Sequence, residues 1–214
     1  MKIELERVAP GDIEKRSMEI ITGELGDKIL NPENEAVIKR VIHTTADFAF
    51  ADTLQFTPHV VQDMVKLLRK GGVTFVTDTQ MALAGINKAA CQKLSCQTMC
   101  FMSDPEVAKE AKERGVTRAA ISMETAARLP GPLIFAIGNA PTALVRLYEL
   151  IEENRLTPAL IIGVPVGFVN VVESKELILQ SRVPSIVARG RRGGSNVAAA
   201  ICNAFLYEAI QRKI

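Results

Sequence analysis

Between residues 73 and 188, short apolar runs alternate with stretches of helical polarity. The runs are Val73 to Thr77, Gln97 to Met102, Leu133 to Ile137, Ala159 to Ile162 and Ser185 to Ala188. Each is short and lacks a polar face, as parallel strands covered on both sides do. Helical patterns separate or follow them at about Pro105 to Arg114, Ala119 to Leu129, Pro141 to Glu153, Val169 to Gln180 and Ser195 to Arg212. The alternation predicts an α/β fold with a doubly wound, five-stranded parallel sheet. Three helices precede it. Asp12 caps the first, which runs to about Thr22 with Gly23 near its end. Asn31-Pro32 opens the second, with Val37, Ile38, Val41 and Ile42 as its buried stripe; Arg40, His43 and Asp47 share another face. Thr57-Pro58 opens the third, with Val61, Met64, Val65 and Leu68 inward and Gly71-Gly72 as the stop.

A chain of 214 residues with 48% hydrophobic content supports one domain over residues 1–214, and no internal repeat or linker interrupts it. The longest apolar stretch, Ala159 to Val172, is broken by Gly163, Pro165, Gly167 and Asn170 and is shorter than the roughly 20 residues a bilayer requires, so no membrane contact is expected. The N-terminus has no apolar signal core, which points to a cytoplasmic location. Cys91, Cys96, Cys100 and Cys202 form no C-x-x-C pair and read as buried thiols, with Cys96 and Cys100 on one side of a strand. With two histidines and no Asp after Asp104, no protein-bound metal is expected.

The net charge of +2 hides an uneven distribution. Residues 1–107 carry 12 Lys+Arg against 15 Asp+Glu, whereas the second half is basic. From Leu177 to Tyr207 there are four arginines, Arg182, Arg189, Arg191 and Arg192, and no acidic residue. Such a stretch suits an anionic ligand or a solvated basic loop. The segments after the apolar runs, where ligands of open α/β sheets bind, include Asp78-Thr79, Gly138-Asn139-Ala140-Pro141 and Gly163 to Gly167. Neither G-x-G-x-x-G nor G-x-x-x-x-G-K-[ST] occurs, and G-x-S-x-G is absent. Gly190-x-x-Gly193-Gly194-Ser195 has the form of an anion-binding turn at a helix N-terminus. With no Trp and two Tyr there is no aromatic platform, and no nucleic-acid partner is expected. His59, in a first helical turn, reads as structural; His43 reads either as a satisfied core histidine or as a proton carrier.

Several long motifs in order carry a family resemblance. They are Arg40-Val41-Ile42-His43-Thr44-Thr45-Ala46-Asp47, Gly138 to Leu144, Gly163 to Val169, Glu173-Ser174-Lys175, and Arg189-Gly190-Arg191-Arg192-Gly193-Gly194-Ser195. Together they resemble the precorrin-8X methylmutase family of cobalamin biosynthesis over nearly the whole chain. Arg16-Ser17 and Ile20-Ile21 fit as well, although Met18 stands where the family pattern has Phe. The resemblance implies a flavodoxin-like fold and an isomerase that moves a methyl group from C-11 to C-12 of a corrin-type macrocycle, giving hydrogenobyrinic acid, or cobyrinic acid when cobalt is present. It implies no external methyl donor, no cofactor, and a homodimer with sites near the subunit interface. By the same resemblance His43 is the acid/base residue, Ser17 and Arg40 contact substrate, and Arg118 reaches the site from the partner subunit. Gly138, Asn139, Arg189, Arg191 and Arg192 complete the expected substrate-binding set, the arginines matching a substrate ringed with carboxylates. A non-catalytic tetrapyrrole carrier of the same fold is the main alternative, and a flavin or nicotinamide oxidoreductase lacks its fingerprint.

Overall fold

The structure, a computed structural model, describes residues 5–212. A 3-10 turn (Pro10–Asp12) leads into α1 (Ile13–Leu25), followed by α2 (Glu35–Thr45), α3 (Phe50–Thr53), β1 (Leu54–Phe56) and α4 (Val60–Lys70). The alternating region comprises β2 (Thr74–Thr77), α5 (Gln80–Gly85), α6 (Lys88–Lys93), β3 (Gln97–Met99), α7 (Pro105–Arg114), α8 (Arg118–Ala126), β4 (Leu133–Ile137) and α9 (Pro141–Glu152). It ends with β5 (Leu160–Gly163), α10 (Val171–Gln180), β6 (Ser185–Ala188) and α11 (Ser195–Ala209).

The strands form one sheet in the order β1-β6-β5-β4-β2-β3. β2 to β6 are parallel, and taken in chain order they stand 2-1-3-4-5. The five-stranded, wholly parallel sheet expected from the runs needs correction: a sixth strand, β1, closes the β6 edge antiparallel, with Gln55 opposite Val187. Three residues are too few to show a periodicity, and the ladder that makes them a strand comes from β6.

Alternate strand residues face opposite layers. Phe75, Ile134, Ala136, Ile162 and Ile186 pack under α2, α4, α5 and α11, while Val76, Phe135, Ile137, Ile161 and Val187 pack under α8, α9 and α10. The α2 stripe of Val37, Ile38, Val41 and Ile42 is buried, and α1 lies alongside α2.

Two expected helix starts move inward because their capping residues are engaged elsewhere. Asn31 turns back on itself, its Oδ1 accepting from Glu33 N at 3.0 Å, and α2 begins after Asn34. Thr57 belongs to the sheet edge: its Oγ1 accepts from Ser185 N at 2.9 Å, and α4 starts only after His59, in the left-handed conformation. Gly23 lies inside α1, which stops at Gly26. Cys91, Cys96 and Cys202 are buried as expected, but β3 is shorter than its apolar run, so Cys96 and Cys100 flank the strand and only Cys96 is buried. Among the described residues no helix is long and apolar enough to cross a membrane.

Candidate active site

His43 lies in the last turn of α2, three residues after Arg40, and is exposed. Exposure removes the reading of His43 as a satisfied core residue. Arg40 is nearly buried beside it, with Nη1 3.5 Å from His43 Nδ1. The Arg40 guanidinium makes a close ion pair with Glu14 of α1 and lies 5.1 Å from the centroid of the Tyr207 ring of α11. Arg212 grips the same Glu14 at 2.6 Å and stacks on the same ring at 4.4 Å. Glu14 and Tyr207 therefore tie α1, α2 and α11 together around Arg40, with the desolvated guanidinium favoured by both charge and ring quadrupole.

Two clefts meet at His43. One, of about 290 Å³, runs between α1 and α2 and is lined by Ser17, Ile20, Ile21, Ile42, His43 and Phe48. Ser17 Oγ donates to Ile13 O at 2.8 Å, which leaves its acceptor side available to a ligand. The other, of about 320 Å³, runs between α2 and α11, with Ala199 and Ala200 as floor and Arg40, Asn196, Asn203 and Tyr207 around His43. Small floor residues and a polar rim suit a flat ligand edge. A larger apolar groove on the far side of Arg40, about 510 Å³ and lined by Lys15, Met18, Thr22 and Lys39, does not include His43.

One turn beyond His43, Asp47 brings in the arginine-rich turn. Its Oδ1 accepts from Ala49 N at 2.9 Å and its Oδ2 pairs with Arg192 Nε at 2.7 Å. Arg189 is bidentate on Glu176 at about 3.1 Å. Arg191 instead lies 5.4 Å from the Phe168 centroid and, among the described residues, has no carboxylate at ion-pair distance. The turn is built on glycine. Gly193 has φ of +155°, and a Cβ there would stand 2.0 Å from Val164 O.

The crevice between β2 and β4, where parallel order reverses, is closed by the chain itself. Buried Asp78 accepts from the backbone N–H groups of Gly138, Asn139 and Ala140 at 2.8, 2.8 and 2.6 Å. Burial pushes its carboxyl above the ordinary range, against the pull of those three donors. A Cβ on Gly138 would meet Ser195 Cα at 2.6 Å, and Thr79 Oγ1 lies 2.8 Å from Ser195 Oγ. Gly138 is thus buried and explained by helix packing, whereas Asn139 is exposed.

Of the expected site residues, Ser17, Arg40 and His43 are brought together, and Arg192 joins them through Asp47. Arg118 is not: it opens α8 on the opposite face of the sheet, exposed, with Nη1 3.4 Å from Met102 O. Sequence reasoning missed Glu14, Asn196, Asn203 and Tyr207. Lys175, singled out in the sequence only within a motif that carries the resemblance, falls at helical spacing within the buried set Val171, Ser174 and Ile178.

Residues 12–208 match the sequence pattern of a family described as precorrin-8X methylmutase. The cobalt-precorrin-8 methylmutase of Priestia megaterium is 44% identical over 197 residues, covering 92% of this chain and 87% of that protein. That of Salmonella typhimurium is 43% identical over 204 residues, covering 92% and 95%. Among solved structures, the precorrin-8X methylmutase of Thermus thermophilus superposes with a TM-score of 0.85 at 32% identity, over 95% of this chain and 100% of that one.

Proposed function

Because the chain belongs to the precorrin-8X methylmutase family, we propose that it is the isomerase that moves a methyl group from C-11 to C-12 of precorrin-8X or cobalt-precorrin-8 in cobalamin biosynthesis, with His43 as acid/base residue. The observation that carries the site assignment is the exposed His43 at the junction of two clefts, with Arg40 against its Nδ1. In the neutral ring the 3.5 Å approach of Arg40 can be accepted at Nδ1, which leaves the Nε2 hydrogen to be donated toward the ligand; an imidazolium, donating from both nitrogens, would turn Nδ1 away from the guanidinium. Protonating, or strongly hydrogen-bonding to, a macrocycle nitrogen draws electron density from the migrating centre. The methyl group stays within the substrate, so the protein supplies binding, orientation and one mobile proton.

Arg40, Arg189, Arg191 and Arg192 are the groups we assign to peripheral carboxylates, with Ser17 and Asn139 as polar contacts; Glu14, Glu176 and Asp47 hold Arg40, Arg189 and Arg192, whereas Arg191 has no carboxylate at ion-pair distance among the described residues. Gly138 contributes indirectly, as the close packing point that seats α11. The two curated relatives named above act on the cobalt form, which favours cobalt-precorrin-8 as substrate, the metal arriving with the macrocycle. We read residues 1–214 as one domain with the flavodoxin-like doubly wound order, acting in the cytoplasm, where free thiols persist.

The absorbance spectrum of the protein mixed with precorrin-8X tests the activity. Conversion to the hydrogenobyrinic acid chromophore is expected; a bound but unchanged spectrum would mark a carrier. Replacing Arg191 and Arg192 together by Gln is expected to weaken product binding and to flatten its salt dependence, because the long-range term falls with the charges removed. An affinity that keeps its wild-type value across a salt series would defeat the assignment of those arginines.

Each cleft beside His43 is small for an entire corrin-type macrocycle, and Arg118 points away from it across the sheet. We infer a homodimer in which Arg118 serves the site of a second copy. Sedimentation velocity at micromolar concentration should give a dimer, and a fully active monomer would refute it.

A further inference from the structure

Lys175 has no part in the proposed chemistry, yet its side chain is wholly buried under the arginine-rich turn. Its Nζ donates to Gly190 O at 2.7 Å and to Arg192 O at 2.8 Å, two carbonyls that face inward from alternate residues. Among the described residues no carboxylate lies at ion-pair distance from it, and burial lowers its pKa to about 8. A buried ammonium held by neutral carbonyls is costly, and a hydrophobic side chain of similar length would pack there without that desolvation. The return is local. Gly190 and Gly193 have φ of +77° and +155°, and this twisted backbone turns carbonyls away from solvent that then need a donor.

The other backbone bonds of the turn are two at its flanks and one longer bond at its centre. Arg189 N donates to Thr53 O at 2.8 Å and Gly194 N to Val164 O at 2.9 Å, while Gly167 N reaches Arg191 O at 3.3 Å. Among the described residues Lys175 is the one side chain that bonds the backbone of the turn from within, on either side of Arg191. We propose that Lys175 is a positioning residue that tethers the Arg189–Gly194 turn, fixing the direction in which Arg191 and Arg192 are presented to substrate carboxylates. The tether deepens the proposed function and rests on its reading of Arg191 and Arg192 as carboxylate ligands.

The turn contains three trypsin sites, after Arg189, Arg191 and Arg192, so its order can be read without any ligand. With Lys175→Met, cleavage at those sites in the folded protein should accelerate about tenfold, because nicking follows the population of the opened segment. Cleavage elsewhere and the melting temperature should remain near wild type. Hydrogenobyrinic acid affinity should fall about tenfold while the saturating single-turnover rate stays within about threefold, the pattern of a lost binding geometry. Lys175→Arg, which keeps donors in reach of both carbonyls, should recover much of the protection and affinity.

Wild-type nicking of folded Lys175→Met would overturn the tether. So would a collapse of the saturating rate with affinity intact, which would make Lys175 a proton carrier, or accelerated cleavage throughout the chain, which would make it a general support of the fold. Should Lys175→Met not fold, Lys175→Leu, which also lacks a donor for Gly190 O and Arg192 O, is read in its place: fast nicking upholds the tether and wild-type nicking overturns it. If Arg191→Gln with Arg192→Gln leaves product affinity unchanged, the carboxylate reading fails, and the nicking rates still decide whether Lys175 holds the turn.

Discussion

His43→Ala should still bind hydrogenobyrinic acid and melt near the wild-type temperature while losing nearly all conversion of precorrin-8X. The expectation follows from where the imidazole sits. Val41 and Ile42 beside it are buried in the core, but His43 projects into the junction of the two clefts, and among the described residues its side chain has one polar contact, the long approach to Arg40. Truncating an exposed helical side chain leaves no core cavity and removes no buried hydrogen bond, so stability should change by no more than about 0.5 kcal/mol. Catalysis is a different matter, because a proton delivered only as the methyl group migrates contributes to the transition state and little to ground-state binding. General acid–base assistance of this kind is worth about 10² to 10⁴ in rate. Single-turnover conversion, product binding and melting temperature measured on one preparation separate the outcomes: near-normal conversion by the folded variant would eliminate the acid/base role, and joint loss of binding and stability would return His43 to a structural one.

The largest loss of stability is expected from Asp78→Ala. Its carboxylate, wholly buried, is the common acceptor for the N–H groups of Gly138, Asn139 and Ala140. Deleting the carboxylate leaves these N–H groups without their acceptor, at about 1–3 kcal/mol for each that stays buried and unpaired, so a loss of roughly 3 kcal/mol is expected, which in a chain of this size lowers the melting temperature by on the order of 10 °C. Asp78→Asn should recover little, since an amide has one acceptor oxygen and would aim its own N–H groups at N–H groups. The damage should reach the site. Gly138 abuts the first residue of α11, the helix that supplies Asn196, Asn203 and Tyr207 to the cleft beside His43, so product affinity should fall with stability. Thermal melts of Asp78→Ala within about 2 °C of wild type, less than one kcal/mol's shift, would show that the carboxylate does not hold the β4–α9 turn.

What could be read along the chain is what repeats along it. Burial on both faces makes five parallel strands visible as apolar runs, and one-sided burial writes Val37, Ile38, Val41 and Ile42 onto α2 at helical spacing; Arg40 and His43 then fall on a shared face by the same geometry. The resemblance carried by long ordered motifs reached the family. Everything decided by a single partner far away in sequence stayed hidden. The ladder from β6 makes β1 a strand, and Ser185 takes the hydroxyl of Thr57 that the local pattern assigns to a helix cap. Glu14, at the other end of a helix pair, decides how Arg40 is held, and Asp47 draws Arg192 to the His43 helix across 145 residues. Whether a glycine serves a ligand or a neighbour is equally a tertiary matter, as Gly138 shows by lying against Ser195. Local propensity depends on a residue and its near neighbours, whereas a hydrogen bond or ion pair depends on which atoms the packed layers bring within 3 Å, and the order of strands in the sheet sets that distance.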